Sequence, residues 1–422
     1  MAENIIYYGP PGTGKTYFMQ KQIEKYTDYQ INDTDIVSAY TVKSADWLLV
    51  ALVIMQNNNP MSASDIMNKI RTLSLKYSGT VSDVLDTHSI EDSALGLSRK
   101  QPRIFIEDSG NWFVDRLKLL EYDPHFISSY MKNSTIEKRY DFVTFHQSFV
   151  YEDFIEGIRP SVDPTTKQLV YDPQPGVFKR ICDKANAAPT KQFALFIDEI
   201  NRGNISEIFG ELISLIEVDK RKGQYCELET VLPYSKTTFC VPNNLNIIGT
   251  MNSADKSIAT IDLALRRRFE FISFPCDYLS LENAIKVKGL DAHNIDGIDV
   301  VKLLKVINRR IELLLGEDHV IGHAYFMKVN NANDIISVVT KKIIPLLEEY
   351  FFDDLQKVQI VLNDIDDTGV MDADAIYIHE EIEPDKLLRF VGDYAIEPKK
   401  IYHANKVVSK KAITKIYDGV TL

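Results

Sequence analysis

Apolar residues come in short unbroken runs near the start and in the middle of the chain, and at three-to-four-residue spacing toward its end. Asn4–Tyr8 (NIIYY) predicts a short buried strand, and Tyr17–Lys25 a helix close behind it. Phe193–Ile197 and Leu245–Gly249 predict two more buried strands. Buried strands alternating with helices predict an α/β fold with a parallel sheet. From about Leu281 the period turns helical through Val301–Leu315 and Ile335–Phe352, which predicts an α-helical lid after the sheet. Beyond Asp367 the pattern is mixed and short-stranded.

The connection from Tyr40 to Tyr140 is too long for a loop and must carry its own fold. Trp47–Met55 is an apolar helix followed by an Asn-Asn-Asn-Pro turn at Asn57–Pro60. A helix capped by Ser64 is expected to run to Tyr77, and a weaker helical stretch to cover Val81–Leu97. Two strand-like runs, Arg103–Glu107 and Trp112–Asp115, flank a turn at Asp108-Ser109-Gly110-Asn111. Three helices and a hairpin predict a winged-helix-like insertion. Both tryptophans, Trp47 and Trp112, fall inside it, as a separate small core requires.

Composition narrows the classes. At 422 residues, 45% hydrophobic and 26% charged, the chain is a multi-domain globular protein, not a disordered or fibrous one. A net charge of −12 excludes a molecule that is basic all over, so contact with DNA must be local. Cys182, Cys226, Cys240 and Cys276 lack metal-site spacing and are expected as reduced, inert thiols. The longest apolar run, Trp47–Met55, is too short to span a bilayer, and no leader pattern opens the chain, so a cytoplasmic protein is expected.

The chemistry starts at Gly9-Pro10-Pro11-Gly12-Thr13-Gly14-Lys15-Thr16, between the first strand and its helix. The glycines let backbone N–H groups close on phosphate oxygens, Lys15 reaches the β and γ phosphates, and Thr16 offers a hydroxyl to Mg2+. Asp198 follows the strand Phe193–Ile197, where a carboxylate can hold that Mg2+, and Glu199 beside it can take a proton from an attacking water. Asn252 ends the next strand, where an amide can hold that water. In Ile261–Phe269 three consecutive arginines, Arg266, Arg267 and Arg268, sit at a helix end. They cannot all face their own domain's site, so a guanidinium reaching a neighbouring subunit is one use. Helix C-terminal charge is another.

With these residues in place, the chain resembles the McrB family of AAA+ GTPases, motor subunits of modification-dependent (type IV) restriction systems. The resemblance rests on GPPGTGKT at Gly9–Thr16, FHQSFVYEDFIEGIRP at Phe145–Pro160 and the segment Ile197–Arg221. It continues through Met251–Phe269, IGHAYF at Ile321–Phe326 and PLLEEYFFDD at Pro345–Asp354. It implies an AAA+ P-loop fold, a hexameric ring with nucleotide sites between subunits, GTP as substrate with ATP as the alternative, and Mg2+. It also implies a partner nuclease of the McrC kind with a PD-(D/E)xK domain, since no such arrangement occurs in this chain. Asn252 would be the sensor, Arg267 and Arg268 the preferred finger pair, and a hairpin would lie within 219–242.

The expected organisation is an AAA+ α/β domain over 1–40 and 141–279, the insertion over 41–140, the lid over 280–366 and a C-terminal extension over 367–422. McrB proteins usually carry a DNA-reading domain ahead of the phosphate loop, where this chain has eight residues, so the insertion is the candidate for DNA contact. Its basic residues only balance its acidic ones. Arg99, Lys100 and Arg103 flank the wing and could meet phosphates, yet a winged helix also docks proteins. Lys399–Ile416 holds six lysines and no acid, a run that most often is solvated surface. Asn252-Ser253-Ala254-Asp255 matches a guanine-reading N-x-x-D only formally. The alternatives are a MoxR or dynein-related protein-remodelling ATPase and a nucleotide-gated binding module, the latter disfavoured by Glu199.

Overall fold

Five parallel strands form the central sheet of the computed structural model, which describes residues 2–90, 99–162, 165, 167–255, 263–383 and 397–421. Their spatial order is Glu270–Ser273, Asn4–Gly9, Leu245–Asn252, Phe193–Asp198, Tyr140–Thr144. Register places Gly9 beside Asn252, and Asp198 beside Thr144, so the loops that leave these strands share one edge. A parallel sheet buries both faces. One face packs with the helix Val177–Ala187 and the segment Ile205–Ile216, the other with the phosphate-loop helix through Met19.

The phosphate-loop helix spans Lys15–Ile23 and passes through a single 3-10 turn into an antiparallel ribbon, Thr27–Gln30 with Thr135–Lys138. This ribbon is the stalk of the insertion. Arg139 grips Asp28 with two 2.8 Å hydrogen bonds. Asp35 accepts from the Asn133 amide, the Asn133 side chain and the Ser134 hydroxyl at 2.6–2.9 Å. The insertion core is centred on the helix Asp46–Asn57, in which Leu48 to Met55 are all buried. Burial on every side explains its lack of a polar face. Asn58 ends it in the left-handed region and clasps the Tyr29 backbone by donor and acceptor.

Two local readings need correction. The next helix is capped by Ser62, not Ser64, because Ser62 and Asp65 close a reciprocal pair at 3.1 and 2.7 Å. It ends at Thr72. The third helix spans Val81–Thr87, and the remainder of the stretch expected to reach Leu97 lies largely outside the described residues. The hairpin Phe105–Asp108 with Asn111–Val114 turns at Ser109-Gly110, as its turn residues require.

The sequence pattern missed a long antiparallel ribbon, Glu156–Val162 with Leu169–Pro175. Its prolines, Pro160, Pro173 and Pro175, argue against strand, but a two-stranded ribbon is all edge and tolerates them. At its root Glu156 is buried, bonded to Lys179 at 2.7 Å and to the amides of Tyr234 and Ser235. Those amides lie in the connection of a short hairpin, Thr230–Val231 with Thr238–Phe239.

The lid core joins the helices Tyr278–Lys286, Val300–Leu315 and Gln356–Leu362 to Tyr377 and to Ala412–Tyr417. C-terminal residues beyond 366 therefore pack into the lid. Buried Asp364 accepts from Lys415 at 2.8 Å and from the amides of Ile376 and Tyr377. Cys182 is buried and Cys226 exposed, and all four thiols are unpaired with one another. Among the described residues no helix is long and apolar enough to cross a membrane.

Arg221 is 0% exposed and donates to the Ile216 and Leu245 carbonyls and to Asn4 Oδ1. Asn4 passes the link on to the Arg268 carbonyl at 2.9 Å. Arg221→Ala removes the donor shared by three buried acceptors and leaves a cavity in the core, and is expected to lower stability by about 3–5 kcal/mol, read as a shift of the urea midpoint.

Candidate functional site

The phosphate loop follows directly from strand to helix. Gly12 and Gly14 have φ of 76° and 87°, a left-handed conformation that side chains resist. The Lys15 ammonium lies inside the loop, donating to the carbonyls of Gly9 at 2.8 Å and Pro10 at 2.7 Å. Thr13 closes the same turn by donating to Pro10 O at 3.1 Å. The cation is thus centred where phosphate charge would sit.

Asp198 and Glu199 meet the loop from the next strand but one. Thr16 Oγ1 stands 3.4 Å from Asp198 Oδ1. A hydroxyl and a carboxylate at that separation form an oxygen donor pair suited to Mg2+ with phosphate. Thr250, which sequence inspection passed over, joins the Asp198 carboxylate to the Glu199 backbone. It is 2% exposed, donates to Asp198 Oδ1 and accepts from the Glu199 N–H at 3.2 Å. Its signal was only a hydroxyl two residues before Asn252, after the apolar run Ile247-Ile248. Glu199 itself sits at φ 53°, strain of the kind that clusters at functional sites. Burial raises its carboxyl above the ordinary glutamate range, against the pull of Arg202.

Asn201 and Arg202 were also missed. Asn201 is 4% exposed and donates to the Asn252 carbonyl at 3.3 Å, tying the end of the carboxylate strand to the strand Leu245–Asn252. Arg202 lies 3.4 Å from Glu199 Oε2 and 3.3 Å from Asp255 Oδ2. Asn252 stands beside Gly9, with its side-chain oxygen accepting from the Ala254 N–H at 3.3 Å. Residues 256–262, part of the stretch matched to the McrB pattern, lie outside the described residues.

The three arginines diverge. Arg266 covers the Phe271 ring at 5.6 Å, and Arg267 is exposed. Arg268 pairs with Glu217 of its own chain at 2.9 Å. In the insertion, Arg99 donates to Asp86 O, and Arg103 to Ser89 O and Ile90 O, so both guanidinium groups brace their own loop. The hairpin tip they flank exposes Glu107 and Asp108.

A cleft of about 430 Å3 opens between the start of the phosphate loop and the lid. Tyr8, Pro10 and Ser253 line one side, and Arg309, Glu317 and Asp318 the other.

Burial lowers the Lys15 ammonium to about 8, against the attraction of Glu199, Asp198 and Asp255. A triphosphate beside it favours the charged form, so binding takes up a proton wherever Lys15 is neutral. Triphosphate affinity is expected to be insensitive to Lys15 below that point and to fall by up to about tenfold per pH unit above it, measured by titration with a fluorescent nucleotide.

Comparisons with known proteins agree with this geometry. Residues 126–269 match the family described as AAA domain (dynein-related subfamily), and residues 299–359 match McrB, alpha-helical lid domain. The chain is 37% identical over 233 residues to the type IV methyl-directed restriction enzyme EcoKMcrB subunit of Escherichia coli (strain K12), covering 53% of this chain and 49% of that protein. It is 28% identical over 198 residues to the type II restriction enzyme BsuMI component YdiS of Bacillus subtilis (strain 168), covering 42% of this chain and 52% of that one. The chain thus spans about half the length of the curated relatives it matches. Among solved structures it is similar to a RuvB mutant of Thermogota maritima at 13% identity and a TM-score of 0.20, over 61% of this chain and 62% of that one. The matched regions are thus similar to an AAA domain over residues 126–269 and to the McrB lid over residues 299–359, and they adjoin the phosphate loop and include the strand-end carboxylates.

Proposed function

We propose that the chain is the ring-forming nucleoside triphosphatase of a restriction system, hydrolysing GTP in preference to ATP to drive a partner nuclease of the McrC kind. One observation carries the catalytic part: Lys15 and Thr16 meet the distant Asp198 and Glu199 at one sheet edge, where Thr250 holds the Asp198 carboxylate and the Glu199 amide. Support for restriction over protein remodelling comes from the McrB-type lid and from relatives named as restriction-enzyme components.

In this reading Thr16 and Asp198 hold Mg2+, which neutralises phosphate charge when bound. Lys15 leaves the Gly9 and Pro10 carbonyls for the β and γ phosphates. Glu199 accepts the proton of the attacking water on a carboxylate oxygen, helped by a raised pKa. Asn252 turns its amide from Ala254 to that water. Arg267 reaches the γ phosphate of a neighbouring subunit, while Arg268 stays on Glu217 and steadies the element.

The base would enter the cleft beside Tyr8 and Pro10. Guanine presents two adjacent donors on its pairing edge, and the Glu317 and Asp318 carboxylates there are acceptors, which supports GTP. For the insertion, the self-bonded Arg99 and Arg103 and the acidic tip at Glu107 and Asp108 support contact with a protein over contact with DNA phosphates.

Phosphate release should be measured with GTP and with ATP, alongside native mass with a non-hydrolysable analogue of each. GTP-selective turnover in a nucleotide-dependent hexamer is expected. Glu199→Gln is expected to cut turnover by about a hundredfold or more while leaving nucleotide binding and assembly intact. Turnover of neither nucleotide, or full turnover by that variant, would overturn the assignment.

A further inference from the structure

The phosphate loop is held from outside as well as by its own Thr13 and Lys15. Its outer side is met by the lid segment Gly322-His323-Ala324-Tyr325, from a motif that the catalytic assignment leaves unused. Gly322 N–H donates to Pro11 O and Ala324 N–H donates to Gly12 O, both at 2.9 Å. The approach is so close that a Cβ on Gly322 would lie 2.0 Å from the Gly12 carbonyl carbon and 2.4 Å from Thr13 N. The Tyr325 ring covers Gly12 from the same side, 2.5 Å from where a Cβ there would stand. Two glycines therefore face each other, one on the loop and one on the lid.

A trans peptide unit is planar, with its C=O and N–H pointing in opposite directions. Pro11 O and Gly12 N–H belong to one unit, and Gly12 O and Thr13 N–H to the next. A donor that holds each carbonyl from outside therefore turns the following N–H to the inside of the loop, where a phosphate accepts it. His323 extends the brace. Its Nδ1 accepts from the Asp277 N–H at 3.0 Å, so the hydrogen resides on Nε2, and that nitrogen lies 4.0 Å from the position a Gly14 Cβ would take. Asp277 caps the lid helix Tyr278–Lys286, which connects the brace to the lid's packed core.

Resting on the nucleotide-site reading above, we propose that Gly322–Tyr325 is a positioning element for the phosphate loop: the lid's two backbone donors aim the loop's N–H groups, so triphosphate affinity depends on the lid being docked. Gly322, His323 and Tyr325 act through the loop and need not touch the nucleotide.

The test uses the full chain, with amide hydrogen exchange of peptides covering 9–16 and 300–315, and titration with fluorescent GTP and ATP analogues. Gly322→Ala is expected to speed exchange in 9–16 without nucleotide, leave 300–315 protected, and weaken triphosphate binding by about tenfold or more. His323→Ala is expected to weaken binding in the same direction, and His323→Asn, which keeps an acceptor for the Asp277 N–H, to recover most of it. These two variants decide the matter where Gly322→Ala fails to fold. A folded Gly322→Ala chain with wild-type exchange in 9–16 and affinity within about twofold of wild type would overturn the proposal, as would equal binding by wild type and both His323 variants. Failure of the underlying nucleotide reading looks different: the wild-type chain, like Lys15→Ala, would bind neither analogue, while the exchange of 9–16 would still report on the brace.

Discussion

One hydroxyl holds the carboxylate edge of the sheet together. Thr250 donates to Asp198 and accepts from the amide of Glu199, so a single buried side chain fixes both the carboxylate that faces Thr16 and the residue whose backbone is in the left-handed region. A buried hydroxyl has one hydrogen to give and lone pairs to accept with, and here both capacities are used. The neighbouring strand thereby fixes the Asp198 carboxylate and the Glu199 backbone, which a free strand end would leave to solvent. Asn201 repeats the link in the other direction, from the carboxylate strand to the Asn252 carbonyl.

The same edge explains how the chain accommodates a domain within its first connection. Closing a longer loop costs little extra chain entropy provided that its ends remain together. The ribbon Thr27–Gln30 with Thr135–Lys138, the Arg139 grip on Asp28 and the hydrogen bonds to Asp35 hold those ends. The insertion then builds its own core around Leu48–Met55. Its arginines illustrate why charge along a sequence is a poor guide to a binding face: Arg99 and Arg103 are engaged by carbonyls of their own loop.

On the far side, the lid is continuous with the C-terminal segment through Asp364 and Lys415, and it touches the phosphate loop through main-chain atoms. The charged clusters are similarly shared out. Glu217 engages Arg268, and Arg202 spans Glu199 and Asp255, so several charges that look available for ligands in the sequence neutralise one another in the fold.

What the sequence by itself determined were the features governed by neighbours along the chain. Gly9–Thr16 spells its own turn, NIIYY and FALFI announce buried strands, and Asp198-Glu199 announces a strand end, because glycine conformation, burial and alternation act over a few residues. The cap is Ser62 rather than Ser64 because Ser62 finds both the amide and the carboxylate of Asp65, two residues earlier than the pattern implied. Only the tertiary structure decided the rest. Thr250 is 52 residues from Asp198, Glu217 is paired with Arg268, and Gly322 lies against Gly12; each contact exists only after the sheet and lid have formed. The ribbon at Glu156–Val162 belongs here too, for its prolines are tolerated only by an edge that the topology creates. A hydroxyl, a carboxylate or a glycine carries no mark in sequence of the distant partner that gives it a task.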